Sequence, residues 1–241
     1  MDPIVVLVSL VAGYLIGAIS FTRIVSHLVA PNVDVTRLDQ TPGARDSEEG
    51  PLVLASATVV GIKLGSKYGM LVAVLDILKV FIPAMVLKLV YPAEPYFLIL
   101  ALAGMVGHIW PVYYQFRGGR GMSPAYGGML AVDPIGLLVT WLLGTVLGFV
   151  LRNPFVLFLG GILLFIPWVG LVWRNWSYVL YAIGLNVVLY IALIPEIRAD
   201  IKRRKEGTGA TFEEAIEEVP MSKGLAKMAR KMGLMRTPPP A

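Results

Sequence analysis

Six long apolar runs separated by short polar joints set the architecture of this chain. They cover residues 4–22, 69–90, 97–112, 135–150, 154–172 and 176–194. Runs of this length approach the roughly 20 residues that a helix needs to cross a bilayer core of about 30 Å. A further run at 122–131 is short, and with it the pattern predicts seven crossings. Residues 51–64 are apolar as well, but their length, beside Lys63 and Lys67, fits a half-helix or a re-entrant segment. The first run has the length of a signal-peptide core. Its flank is acidic at Asp2 and no small-residue cleavage site follows, so a retained helix is expected. The expected fold class is all-α integral membrane: a seven-transmembrane-helix bundle with re-entrant or short half-helices.

The polar stretches divide the chain further. Residues 30–50 are dominated by Pro, Asn, Asp, Thr, Gly and Glu and are expected to form a loop outside the hydrocarbon. Residues 196–241 carry ten basic and seven acidic side chains. Within them, Thr211 followed by Glu214 is a capping-box pattern, predicting a short helix up to Val219 that Pro220 interrupts. Ser222 is placed to cap a second helix, in which Leu225, Met228 and Met232 contrast with Lys223, Lys227, Arg230 and Lys231. That helix suits an anionic membrane surface, and it equally suits a solvated or partner-binding tail. The expected organisation is a transmembrane domain over residues 1–195 and a cytoplasmic basic amphipathic tail over 196–241.

Composition narrows the class. Hydrophobic residues make up 56% of the 241 positions and charged residues 15%, with a mean hydropathy of +0.72. Soluble domains carry roughly 25% charged residues, so an ordinary soluble enzyme, a disordered chain and a nucleic-acid binder are all disfavoured. No cysteine is present and there are two histidines, which excludes disulfides, thiolate catalysis, cysteine metal sites and three-histidine metal sites. The net charge of +5 has a topological explanation. With the N-terminus outside, eighteen of the 21 Lys and Arg side chains fall on the cytoplasmic side, Arg174 and Lys88 fall towards the other, and Lys79 stays in the membrane. Gly13, Gly17, Gly144 and Gly148 occur at small-xxx-small spacing, which suits close helix packing. No internal repeat is visible, so an inverted-repeat transporter has little support.

The chemistry concentrates in residues 107–123, GHIWPVYYQFRGGRGMS. Arg117 and Arg120 bracket Gly118 and Gly119, and Gly121 opens the next apolar segment. Glycine lets backbone approach an anion and arginine supplies forked donors for phosphoryl oxygens, while the following helix N-terminus adds a favourable dipole. An interfacial phosphate cradle is one reading, and a flexible positive-inside loop is the other. His108 has the type and place to bond a phosphate or relay a proton, or to cap its helix. Ser123 is placed either to bind phosphate or to cap. Asp76 and Lys79, three apart on one helix face, either pair with each other or contact substrate.

Four blocks carry a resemblance to a known family: residues 13–21 (GYLIGAISF), 76–79 (DILK), 107–121 and 200–203 (DIKR). With them the chain resembles the bacterial acyl-phosphate:glycerol-3-phosphate acyltransferases, the PlsY family, over most of residues 4–207. The resemblance implies a seven-helix acyltransferase-like bundle with a cytoplasm-facing site, in a cell inner or plasma membrane. It implies transfer of a fatty acyl group from acyl phosphate to the 1-hydroxyl of glycerol 3-phosphate, a step of phospholipid biosynthesis that yields lysophosphatidic acid and phosphate. No cofactor and no metal are expected, and the partners implied are those two substrates and membrane lipids.

On this resemblance His108 and Arg120 are the expected catalytic residues. Arg117, Gly118, Gly119, Gly121, Ser123, Thr58, Lys63, Arg45, Asp76, Lys79, Arg152 and Arg203 are the expected substrate contacts. The chain departs from the family pattern at identifiable places. Arg120 stands where Lys is usual, and Val80 where Gly is usual. Ala18 and Ser20 replace Ser and Pro, while Ile62 replaces an Arg beside Lys63. Of the expected GSGNxGATN stretch, Ala57 and Thr58 persist. Phe155 and Phe158 fall on serines, Ile197 on a histidine and Asp200 on an asparagine. A divergent non-catalytic lipid-binding or membrane-assembly subunit, an acyltransferase with another phosphorylated acceptor, and a small-solute transporter are the alternatives.

Overall fold

A computed structural model describes residues 1–35, 55–217, 219 and 222–235. The described residues are helical and contain no strand. The helices are α1 (Pro3–Gly17), α2 (Phe21–Val29), α3 (Ala57–Leu64), α4 (Ser66–Val90), α5 (Tyr96–Ile109), α6 (Met122–Val132), α7 (Pro134–Leu151), α8 (Pro154–Val172), α9 (Trp176–Lys205), α10 (Phe212–Glu217) and α11 (Lys223–Lys231), with a 3-10 turn at Val112–Tyr114.

The joints between apolar runs are built from helix caps. Asp2, Asp133, Asn153 and Asn175 each accept a hydrogen bond from an amide two residues on, and Pro3, Pro134 and Pro154 follow the first three at the first helical position. Six helical stretches are long and apolar enough to cross a membrane, α1 and α2 together forming the first. The seventh expected crossing is α6, whose 11 residues rise only about 17 Å. Residues 57–64 form α3, the expected short piece, packed against α4.

Helix α5 is the hub, with two thirds of its best apolar window buried. Val80, Met105, Met129, Ile162, Phe165, Leu185 and Leu189 close the core around it. Glycine lets the helices approach: a Cβ on Gly13 or Gly17 of α1 would strike the α5 backbone at Leu100 and Gly104, and one on Gly144 would strike Gly161 of α8. The small-residue spacing therefore reports packing, as expected. Apolar side chains such as Leu89, Leu171 and Leu180 point outward on the perimeter.

The bundle has two distinct ends. At one, the N-terminal amine lies 3.6 Å from Glu94, Lys88 donates to the Ala131 carbonyl, and Asp133 accepts from Trp168 and Trp173. The other end gathers Ile19, His108, residues 115–121, Glu196 and the tail.

The described residues after the last apolar run are helical in three pieces. Helix α9 runs through Pro195 to Lys205, ten residues beyond the expected end of the membrane domain. Ser222 precedes α11 without capping it, because its hydroxyl donates instead to the carbonyls of Ile216 and Val219. The Thr211–Glu214 capping box forms, with reciprocal bonds of 2.7 and 3.3 Å. Phe212, Ile216, Ala226 and Ala229 pack on Phe149 and Leu157, so α10 and α11 dock on the end of α7 and α8, while Met228 and Met232 stay exposed.

Candidate active site

The site begins with a buried charge pair. Asp76 and Lys79 sit one helical turn apart on α4, with Lys79 Nζ 2.7 Å from Asp76 Oδ1. A buried pair is tolerable in a membrane when its remaining bonds are satisfied. Lys79 meets that condition by donating to the Ile19 carbonyl at 2.7 Å, at the break between α1 and α2. His108, in the last turn of α5, joins them: its Nδ1 lies 3.0 Å from Lys79 Nζ and 3.6 Å from Asp76 Oδ1. Three helices are thereby tied together beneath the following loop.

Residues 115–121 fold back over this cluster. The Gly118 amide donates to the Ile109 carbonyl and the Gly119 amide to the His108 carbonyl, both at 3.1 Å, and the Gly118 carbonyl accepts from Ala55. These bonds satisfy the carbonyls that the end of α5 leaves open. A Cβ at Gly118 would strike the carbonyls of His108 and Ile109, and one at Gly119 would strike His108 Nε2. Both glycines are thus required by close approach to the histidine. The expectation that their amides face a ligand is corrected, because those donors are already committed to α5.

The groups left facing outward differ from the motif reading. Gly121 adopts a left-handed conformation (φ 86°) and is the N-cap of α6. Ser123, placed by its sequence position either to bind phosphate or to cap, lies inside the first turn, half-buried, with no capping bond. Arg117 is exposed, whereas Arg120 pairs with Glu196 of α9 at 2.9 Å. His108 is 9% exposed, with Nδ1 on Lys79 and Nε2 under Gly119, so it supports the loop from below and does not face solvent.

The remaining expected contacts are dispersed. Lys63 donates to the Asp34 carbonyl at 2.6 Å. Arg152, the left-handed C-cap of α7, pairs with Glu213 and stacks over Phe212, so it holds the tail. Thr58 lies half-buried near the start of α3, and Arg203 lies in the last turns of α9. Arg45 lies outside the described residues. The sequence reading missed Glu196 as the partner of Arg120; an acidic residue directly after the last apolar run was the available signal.

A membrane helix bundle with a histidine-braced, arginine-bearing glycine loop at one end is the class that fold and site define. The chain belongs to the glycerol-3-phosphate acyltransferase family, whose model matches residues 7–207. It is 35% identical over 131 residues to a glycerol-3-phosphate acyltransferase of Aquifex aeolicus, covering 54% of this chain and 61% of that protein. A Legionella pneumophila (strain Corby) glycerol-3-phosphate acyltransferase is 38% identical over 139 residues, and there the match spans 45% of the relative. The matches thus span 45% to 61% of these relatives' length. Against glycerol-3-phosphate acyltransferase 2 of Bacillus anthracis, identity is 31% over 84% of this chain and 96% of that protein.

Among solved structures, the fold is similar to the glycerol 3-phosphate form of PlsY, an integral membrane glycerol 3-phosphate acyltransferase. The TM-score is 0.66 at 27% identity, covering 86% of this chain and 94% of that one. The lysophosphatidic acid form of PlsY gives a TM-score of 0.68 at 23% identity and covers 88% and 98%, a likeness of fold.

Proposed function

We propose that this protein transfers a fatty acyl group from acyl phosphate to the 1-hydroxyl of glycerol 3-phosphate. The observation that carries the reading is the braced loop, in which Asp76, Lys79 and His108 fix Gly119 and so position Arg120 at the mouth of α6. Family membership and the PlsY-like fold support it.

In the proposed reaction the glycerol hydroxyl oxygen attacks the acyl carbonyl carbon. The new ester C–O bond forms, the bond from that carbon to the phosphate oxygen breaks, and the hydroxyl proton leaves with inorganic phosphate. Phosphate is a good leaving group, so positioning and charge stabilisation supply the catalysis. Arg120, Arg117 and the first amides of α6, at Met122 and Ser123, hold the departing phosphoryl oxygens. His108 is a positioning residue for the loop. No covalent enzyme intermediate is involved.

The membrane arrangement belongs to the same proposal. The N-terminus lies outside and the C-terminus in the cytoplasm, in a cell inner or plasma membrane, with residues 1–195 forming the core and 196–241 a basic accessory tail. The charge asymmetry of the sequence supports this orientation.

Purified chain in lipid, given acyl phosphate and glycerol 3-phosphate, is expected to release phosphate and lysophosphatidic acid in equal amounts. Folded protein that forms no product with any acyl length would overturn the reading. A second reading, an acyltransferase with a different phosphorylated acceptor, is favoured by the engagement of Lys63 and Arg152 elsewhere. Acceptor profiling separates the two.

A further inference from the structure

Beside the loop, α2 and the turn at Val112–Tyr114 enclose an open groove of about 430 Å³, lined by Arg23, Ser26, His27, Ala30, Asp34 and Tyr114 among others. Its size lies in the range of roughly 300–1,000 Å³ typical of small-molecule sites. The Arg23 guanidinium is held 4.5 Å over the Tyr114 ring. Its Nε and Thr22 Oγ1 on the same turn are buried and have no hydrogen-bond partner among the described residues. Arg23 as a whole is half-buried and lines the groove, and among the described residues its guanidinium has no ion pair.

The rest of the groove selects the kind of anion. His27 lies one turn on from Arg23 and also lines the groove. Ser26 already donates to Thr22 at 2.6 Å, which leaves its oxygen able to accept. Among the described residues the lining thus carries Arg23 and His27 together with Asp34. A guanidinium fork with an imidazole beside it matches the several oxygens and the double charge of a phosphate monoester. The same helix carries Ile24 and Leu28, apolar side chains that are 40% and 76% exposed. A phosphate tethered to an acyl chain can thus seat its head on Arg23 while its tail stays in lipid.

We propose that this groove is a second anion site, distinct from the Arg120 loop, which binds the phosphate monoester group of a membrane amphiphile or of free phosphate. It does not depend on the acyl-transfer reading, because its test involves no turnover. The full chain is placed in phosphatidylcholine nanodiscs with and without phosphatidic acid, and separately in detergent with inorganic phosphate. Retained ligand is read by native mass spectrometry, and binding by the ligand-dependent shift in melting temperature.

Phosphatidic acid is expected to be retained over phosphatidylcholine. Arg23→Gln is expected to weaken it at least tenfold and Arg23→Lys less, and the same loss is expected on adding Arg23→Gln to an Arg120→Gln background. Arg23-dependent binding of inorganic phosphate as well assigns the site to the phosphate group alone; binding of the lipid only assigns it to the tethered form. His27→Asp, at an exposed rim position that folding tolerates, is the second variant and is expected to reduce retention. Equal binding in wild type, Arg23→Gln and His27→Asp, or equal retention of phosphatidylcholine, overturns the proposal.

Discussion

Arg120 and Gly119 show how one residue's environment decides its part. Arg120 carries a planar fork suited to phosphoryl oxygens, and the Glu196 carboxylate, 2.9 Å from its Nε, holds it in place. Arg120→Ala is expected to lower turnover by about 10²-fold, the usual scale for losing one donor to developing charge, while leaving membrane insertion intact. Steady-state assay of variant and wild type checks this, and unchanged turnover would move the reaction away from the loop. Gly119 has no such latitude. Gly119→Ala would push a methyl group into His108 Nε2 and within 3.0 Å of the Ala55 carbonyl. A cost of about 1–3 kcal/mol in stability is expected from such overpacking, visible in denaturant unfolding, together with lost activity.

At the scale of helices, close approach and terminal networks hold the bundle. Gly17 meets the Gly104 backbone, whereas Gly170 of α8 would meet only a Val179 methyl at 3.7 Å. Gly17→Val is therefore expected to lower the melting temperature sharply or prevent folding, and Gly170→Ala to be nearly silent. Similar thermal stability in both would contradict glycine-mediated contact between α1 and α5.

The opposite end of the bundle relies on Asp133. Burial pushes its carboxyl up, but the indole donors of Trp168 and Trp173 and the amides of Gly136 and Ile135 outweigh that and hold it below the ordinary value of 3.8. A depressed carboxyl stabilises the fold above its unfolded value and loses that contribution as pH falls through the folded one. Asp133→Asn is accordingly expected to reduce stability at neutral pH, with the gap to wild type closing as the pH drops below about 4. Melting curves across pH test this, and a gap that persists in acid would count against it.

For the whole molecule, the question is what the bundle needs and which way it faces. The tail docks through Phe212 and Ile216 and through the Arg152–Glu213 pair, but the core around α5 is complete without it. Removing residues 208–241 is expected to leave a folded, membrane-inserted bundle, as judged by helicity and a cooperative melt. The absence of cysteine makes topology simple to measure, since single cysteines at 117 and 174 can be labelled from either side. Opposite accessibility is expected, with position 117 on the side of the C-terminal tail.

Much of this was legible in the sequence for local reasons. The spans follow from apolar length, their starts from Asp or Asn caps and first-turn prolines, and the packing faces from glycine spacing; each depends on residues within a few positions of one another. The Asp76–Lys79 pair is local in the same way, one turn of helix apart. What only the tertiary structure decided are the pairings between distant segments. Arg120 with Glu196, Arg152 with Glu213 and Lys63 with Asp34 join residues 76, 61 and 29 positions apart. Periodicity says which face a side chain occupies, but not which other helix comes to meet it. A motif rich in arginine and glycine supplies donors of the kind that suit phosphoryl oxygens, while the helix ends packed around it determine which of those donors remain free.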